Sequence, residues 1–153
     1  MRENVKQFIE RHIELIEQYK FPAMYGQAEQ QIPFQIGNLT VALIQAGINP
    51  LNYMSETAYM MFSNAVIEEA FIPDNIKLLN AKTFESCYFL KKISLPEKLE
   101  RIHMSAFQSC YELEHIEYRG TTDQWRNVNA HYAVFADCNT QTVHCSDGDV
   151  VVL

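Results

Sequence analysis

The residues best suited to chemistry are four cysteines, Cys87, Cys110, Cys138 and Cys145, and the histidines His103, His115 and His144. A nucleophilic thiolate needs a base and an exposed, electropositive setting. A structural zinc needs four ligands in tetrahedral array. No Cys-x-x-Cys occurs, and Cys87, Cys110 and Cys138 fall one to each unit of a longer repeated pattern. Such spacing lines thiols up rather than gathering them around a point. Cys110 with His115 and His103 is the set a hidden enzyme would have to use, although neither spacing implies contact. Near the end, His144, Cys145, Asp147 and Asp149 are metal-ligating types. They are bunched at Asp147-Gly148, a tight-turn signal between two β-rich runs, and are read as part of a hairpin. No P-loop, nucleophile elbow or His-Glu-x-x-His is present. The expectation is therefore a non-enzymatic protein with no catalytic residue, cofactor or metal.

What positions these residues is a repeat. "FESCYFLKKISLP" begins at Phe84 and "FQSCYELEHIEY" at Phe107, 23 residues later. Phe84, Ser86, Cys87, Tyr88, Leu90 and Ile93 match Phe107, Ser109, Cys110, Tyr111, Leu113 and Ile116; Pro73, Ile76 and Leu79 match Pro96, Leu99 and Ile102. Stepping back by the same interval aligns Met61, Ile67, Ala70 and Ile72 with Phe84, Leu90, Ile93 and Leu95, so a degenerate first repeat starts near Met61. A fixed period in this range with Leu/Ile anchors and one cysteine marks a leucine-rich solenoid of stacked coils. "IEEAFI" (67–72), "LKKISL" (90–95) and "LEHIEY" (113–118) are the parallel strands, with Ile93 and Leu95 inward and Ser94 outward. The prolines end each strand, and "TFESC" and "AFQSC" form short helical turns that drive Phe and Cys inward. The cysteine column is a small buried apolar residue where coil spacing leaves room for little else.

The outward strand positions also stack. One column reads Glu68, Lys91, Glu114 and the next Glu69, Lys92, His115. Opposite charges on adjacent strands stabilise a sheet by a few tenths of a kcal/mol per pair. The same positions, with Ser94 and Glu117, are equally the surface on which a solenoid docks a partner. The sequence leaves both roles open.

The rest of the chain caps the coils. Val5, Phe8, Ile9, His12, Ile16 and Tyr19 make one apolar helical stripe, and further helices follow Pro22 and span about 36–46, closed by Gly47 and Pro50. Residues 51–70 are ambiguous, with helix running into strand as one reading, and the repeat resolves part of them. At the other end Thr121 with Gln124 fits a capping box for a short helix carrying Trp125, a lid on the last coil, and Val128. "FADC" (135–138) repeats half the motif, and its strand is displaced, Val143 lying 27 residues after Ile116. The expected architecture is a mixed α/β chain: a helical N-terminal cap over 1–58, leucine-rich repeats with parallel strands over 59–118, and a C-terminal cap over 119–153 ending in a β-hairpin.

With 48% apolar residues the chain can bury a sizeable core, and its net charge is -7. That acidity disfavours nucleic acid and anionic membranes and permits a basic protein partner. No apolar leader or membrane-length run is visible, so a cytoplasmic location with reduced cysteines is expected. Self-association through the first-coil edge or the amphipathic helices is allowed.

Residues from about 61 onward resemble the BspA-like leucine-rich repeats, whose consensus runs through Ile-x-Leu-Pro and then Ala-Phe-x-x-Cys-x-x-Leu. Here that is "ISLPEKLERIHMSAFQSCYELEHI", Ile93 to Ile116. "IEYRGTTDQW" and "TVHCSDGDV" resemble the closing cassette of such arrays. Met61 and Asn64 stand where Phe and Cys are expected. "IGNLTVALIQAGINPLNYM" is similar to segments preceding such repeats in short proteins of gut bacteria and their phages. The resemblance implies a binding protein without catalytic residues, acting by protein–protein interaction. A narrower alternative is an acidic inhibitor, encoded by a phage or mobile element, that covers a host defence or nucleic-acid-binding protein in the host cytoplasm.

Overall fold

The computed structural model describes residues 49, 52, 57–58 and 62–152. Four two-residue strands, β1 (Thr57–Ala58), β3 (Leu78–Leu79), β5 (Arg101–Ile102) and β7 (Asn129–Ala130), form one parallel sheet in that order. Longer strands, β2 (Glu69–Phe71), β4 (Lys92–Leu95), β6 (His115–Tyr118), β8 (Thr142–Cys145) and β9 (Gly148–Val151), form a second. All pairs are parallel except the β8–β9 hairpin. The chain passes from the short sheet through a turn segment to the long sheet and back, a small β-solenoid of three turns. The helical cap expected over 1–58 falls outside the described residues, except that Thr57 and Ala58 already belong to the short sheet, paired with Leu78 and Leu79.

The 23-residue period is the register of the long sheet. Ala70, Ile93, Ile116 and Val143 lie side by side, the last after the longer interval that the sequence marks. Ile93, Ile116 and Val143 are fully buried, as are Leu95 and Tyr118 two positions on. Each strand ends at a corner where Pro73 or Pro96 accepts a hydrogen bond three residues later, from Ile76 N–H at 3.2 Å or Leu99 N–H at 3.1 Å. Those two residues re-enter the core.

The third side differs from the helical turns expected of it. "TFESC" and "AFQSC" are successive tight turns, and Ser86 and Ser109 adopt left-handed backbone with φ of 59° and 62°. Among the described residues the one helix is α1 (Thr122–Arg126), so the coils are β and turn rather than α/β. In these turns alternate N–H groups face the next coil. Ser86 N–H donates to Gln108 O of the next coil at 2.8 Å, and Phe84 N–H to Ala106 O at 2.8 Å. A continuing α-helix would have spent those donors inside one coil. At the last coil Asp137 Oδ2 takes the place of a carbonyl and accepts from Ser109 N–H at 2.9 Å.

Behind this side runs a phenylalanine ladder. Phe62, Phe84 and Phe107 stack with ring centroids 4.8 and 5.3 Å apart and planes within 10°, and Phe135 continues it tilted by 45° at 5.2 Å. The first coil is thus complete but one residue short. Phe62, not Met61, fills the aromatic position; Asn64, with φ of 58°, matches Ser86; and Ala65 takes the cysteine position. A fixed 23-residue offset missed this because the lost residue lies between Ala65 and Ile67. The cysteines do more than fill space. Cys87 Sγ donates to Phe62 O at 2.8 Å and Cys110 Sγ to Phe84 O at 3.0 Å, each tying its coil to the one before.

At the last corner α1 replaces the proline turn. Thr121 and Gln124 form the full capping box, with Thr121 Oγ1 accepting from Gln124 N–H and Gln124 Oε1 from Thr121 N–H. Trp125 and Val128 are buried, with Trp125 on Tyr118 and Phe135. Gly120 is needed here, since a Cβ would lie 2.6 Å from the Tyr118 ring. The terminal hairpin turns on Ser146 and Asp147, one residue earlier than Asp147-Gly148, and Gly148 opens β9 at φ 152°.

Candidate functional site

The outer face of the long sheet carries the charge columns, and the structure brings them into register as strand order requires. Glu69, Lys92 and His115 are direct neighbours on β2, β4 and β6. Just before each strand, Glu68 O accepts from Lys91 N–H and Lys91 O from Glu114 N–H. Lys91 Nζ lies 3.8 Å from Glu68 Oε1, with both side chains well exposed. Such a pair contributes about 0–1 kcal/mol. His115 is half-buried because its ring stacks on His144 at 4.8 Å. His144 Nδ1 in turn bonds Asp149 Oδ1 at 2.8 Å, across the hairpin. Glu117 lies beside His144 in register.

Ser94 does not belong with this exposed set. Its side chain does point to the outer face, but it is only 8% exposed. Arg119, just past β6, reaches back over it. The guanidinium donates to Ser94 Oγ at 2.8 Å, to Ile72 O and to Asp74 Oδ1 at 3.0 Å, and lies 4.2 Å over the Phe71 ring. One side chain on the third coil thus pins the strand ends of the second and first. The planar fork of arginine suits this; a point-charge lysine does not. Strand alternation could place Ser94, but nothing in the repeat announces that Arg119 would cover it.

Beside the charged face, at the corner with the turn side, lies a feature that the columns of the core leave unexplained. Tyr88 and Tyr111 are half-exposed and stack at 6.1 Å with 20° between planes. Phe89, next in sequence to Tyr88, and Val66, which follows Ala65 as Tyr88 follows Cys87, are more than half exposed. The flanking Cys87, Leu90, Cys110 and Leu113 are fully buried. The signal was present in the sequence, where Tyr88 and Tyr111 match between repeats at a position the core does not need.

The residues suited to chemistry meet chiefly as like with like, Cys87 beside Cys110 and His115 on His144. Burial pushes the Cys87 and Cys138 thiols well up from their ordinary range, and neighbouring cysteines add to the effect. Cys145 is raised by burial, then by Asp147 and Asp149. A raised thiol is a poor source of thiolate at neutral pH. His103 is engaged locally, Nδ1 accepting from Ser105 N–H at 3.2 Å and meeting Ser105 Oγ at 2.9 Å. Asp147 turns away from His144 to cap α1, accepting from Thr122 N–H at 2.7 Å. Among the described residues no three His, Cys, Asp or Glu side chains converge as a metal site. No helix among them is long and apolar enough to cross a membrane. Two clefts, of about 220 Å³ against Met104 and Asp137 and about 250 Å³ against Glu97 and Tyr118, contain neither Cys nor His.

The match to a repeat family agrees with this geometry. Residues 46–142 match the family described as BspA type leucine rich repeat region, in six copies. No curated protein matches the chain. Among solved structures, a leucine rich cell surface protein from Faecalibacterium prausnitzii A2-165 is similar at 30% sequence identity, with a TM-score of 0.43. The match covers 44% of this chain and 18% of that one, so this chain spans a small part of that protein's length.

Proposed function

This chain belongs to the BspA-type leucine-rich repeat family, and we propose that it acts as those repeats generally do, by binding another protein. The observation that carries this reading is the division of roles across β2, β4 and β6. Inward residues hold the core, while Glu69, Lys92, His115 and Glu117 stand on a ladder that does not need them. A rigid surface of this kind loses little conformational freedom on binding. The net charge of -7 favours a basic partner. A phage- or mobile-element-encoded acidic inhibitor covering a host defence or nucleic-acid-binding protein is the narrower form of the same reading.

The test is affinity capture from bacterial lysate with the full chain and with a Lys92→Glu/Glu117→Lys variant, identified by mass spectrometry at about 0.1 M and 1 M salt. The expected result is a protein held by the wild type and lost from the variant. Loss at high salt supports the electrostatic form. Identical captures on both proteins, or none above a blank support, overturn the proposal.

A further inference from the structure

We propose that binding energy is concentrated in the aromatic ridge of Tyr88, Tyr111, Phe89 and Val66, and that the partner presents an apolar segment flanked by lysine and arginine. This rests on the protein-binding reading above and names the part of the surface that does the binding. The ridge residues are 50–64% exposed and run across three coils. Tyrosine brings large amphipathic area with little rotamer entropy, and it is enriched among residues that dominate interfaces. The ridge is also stiff. Leu90 N–H donates to Cys87 O at 3.2 Å and Leu113 N–H to Cys110 O at 3.1 Å, closing a tight turn around each tyrosine. Ser86 N–H bonds the next coil, and the buried Cys and Leu anchor each side.

The rim sets the partner's charge. Near the ridge, Glu68 is paired with Lys91 and Glu85 with Lys82. Glu112, adjacent to Tyr111, and Glu114 are exposed and form no ion pair among the described residues. A partner that buries Tyr111 brings its own side chains against these two carboxylates. Basic residues there gain, whereas acidic ones, a phosphate backbone or an anionic lipid surface are repelled. The same argument disfavours a second copy of this chain docked ridge to ridge, since both partners would carry Glu112, Glu114 and a net charge of -7.

The probe is a random peptide library panned against the full chain, with selected peptides measured individually by fluorescence anisotropy. Recovered sequences are expected to combine aromatic or aliphatic residues with Lys or Arg. Their affinity is expected to fall about tenfold or more for Tyr88→Ser/Tyr111→Ser, to survive Tyr88→Phe/Tyr111→Phe, and to weaken for Glu112→Lys/Glu114→Lys with a shallower salt dependence. Circular dichroism on each variant confirms folding, which half-exposed positions should preserve. Unchanged affinity in the serine variant overturns the ridge, as does recovery of acidic peptides. Loss confined to Lys92→Glu/Glu117→Lys overturns the ridge but leaves the protein-binding reading standing. Sedimentation velocity showing wild-type dimers abolished by the serine variant overturns the basic-partner assignment in favour of a second copy. Absence of any peptide above background overturns the ridge as a peptide-binding surface, and the capture experiment then judges the broader reading by itself.

Discussion

Replacing Arg119 by methionine keeps the length and apolar stem of the side chain and deletes its charged fork. Each hydrogen bond to a charged group is worth about 1.5–3 kcal/mol. The bonds to Ser94 Oγ and Ile72 O are the sheltered ones, and without Arg119 the buried Ser94 hydroxyl loses its guanidinium donor. The Asp74 pair is discounted to about 0–1 kcal/mol because Asp74 is 80% exposed. The contact over Phe71 adds about 0.5–1 kcal/mol. These share one side chain and do not add fully, so a net loss of about 2–4 kcal/mol is expected. Urea unfolding measures it, with the emission of Trp125, the sole and buried tryptophan, as probe. Arg119→Lys should recover less than half of the loss, since lysine keeps the charge but not the fork. Because coils contact only their neighbours, amide exchange should rise in β2 and at Ile72 more than in β8. A Ser94→Ala/Arg119→Met cycle should show coupling. If Arg119→Met lies within about 0.5 kcal/mol of wild type, or leaves β2 exchange unchanged, the clamp is a surface ornament and the reasoning fails.

Phe107→Ala should cost about 3–5 kcal/mol in urea unfolding, because it removes a fully buried ring between Phe84 and Phe135; a cost under about 1 kcal/mol would mean the ladder is not a packed core. Thr121→Ala should cost about 1 kcal/mol by the same measurement, from loss of the capping box, and an unchanged midpoint would deny the cap any weight. Stability should also fall in alkali. Burial raises Cys87, Cys138 and Cys145 in the folded state, and Tyr118 from its ordinary value near 10. Above about pH 9 the unfolded chain therefore releases protons that the folded one retains, and stability present at lower pH is lost as pH rises. The urea midpoint should drop between about pH 8 and pH 10, and a constant or rising midpoint would contradict the burial of these groups.

The inner half of this structure was legible because it repeats. Phe84 over Phe107, Cys87 over Cys110 and Ile93 over Ile116 follow from a period, since each coil meets the same neighbours as the last. The capping box at Thr121 and the delayed strand at Val143 were readable too, one from local hydrogen-bond chemistry and one from counting. The count failed at Met61, where one residue is missing after Ala65 and stacking selects Phe62 instead. Composition could not tell a helix from a run of turns in "FESC". The choice depends on whether Ser86 N–H bonds within its own coil or to the next, and that is an interaction between coils. Arg119 was invisible for the same reason. It occurs once, and its hydrogen-bond partners lie 25 to 47 residues back in the chain.

Function is written where the repeat is silent. Residues that hold coils together must recur, so recurrence at Phe84 and Phe107 carries no information about a partner. Tyr88 and Tyr111 recur without being needed by the core, and an exposed aromatic kept twice in register is harder to attribute to folding. Glu112 follows Tyr111 where Phe89 follows Tyr88, so the ridge is apolar toward the first coil and acidic toward the third. An asymmetric edge on a symmetric scaffold gives a partner one orientation along the solenoid axis. Reversing the partner would set its basic flank against Phe89 and its apolar residues against Glu112, leaving both charges uncompensated, and mismatches of that kind are what set specificity.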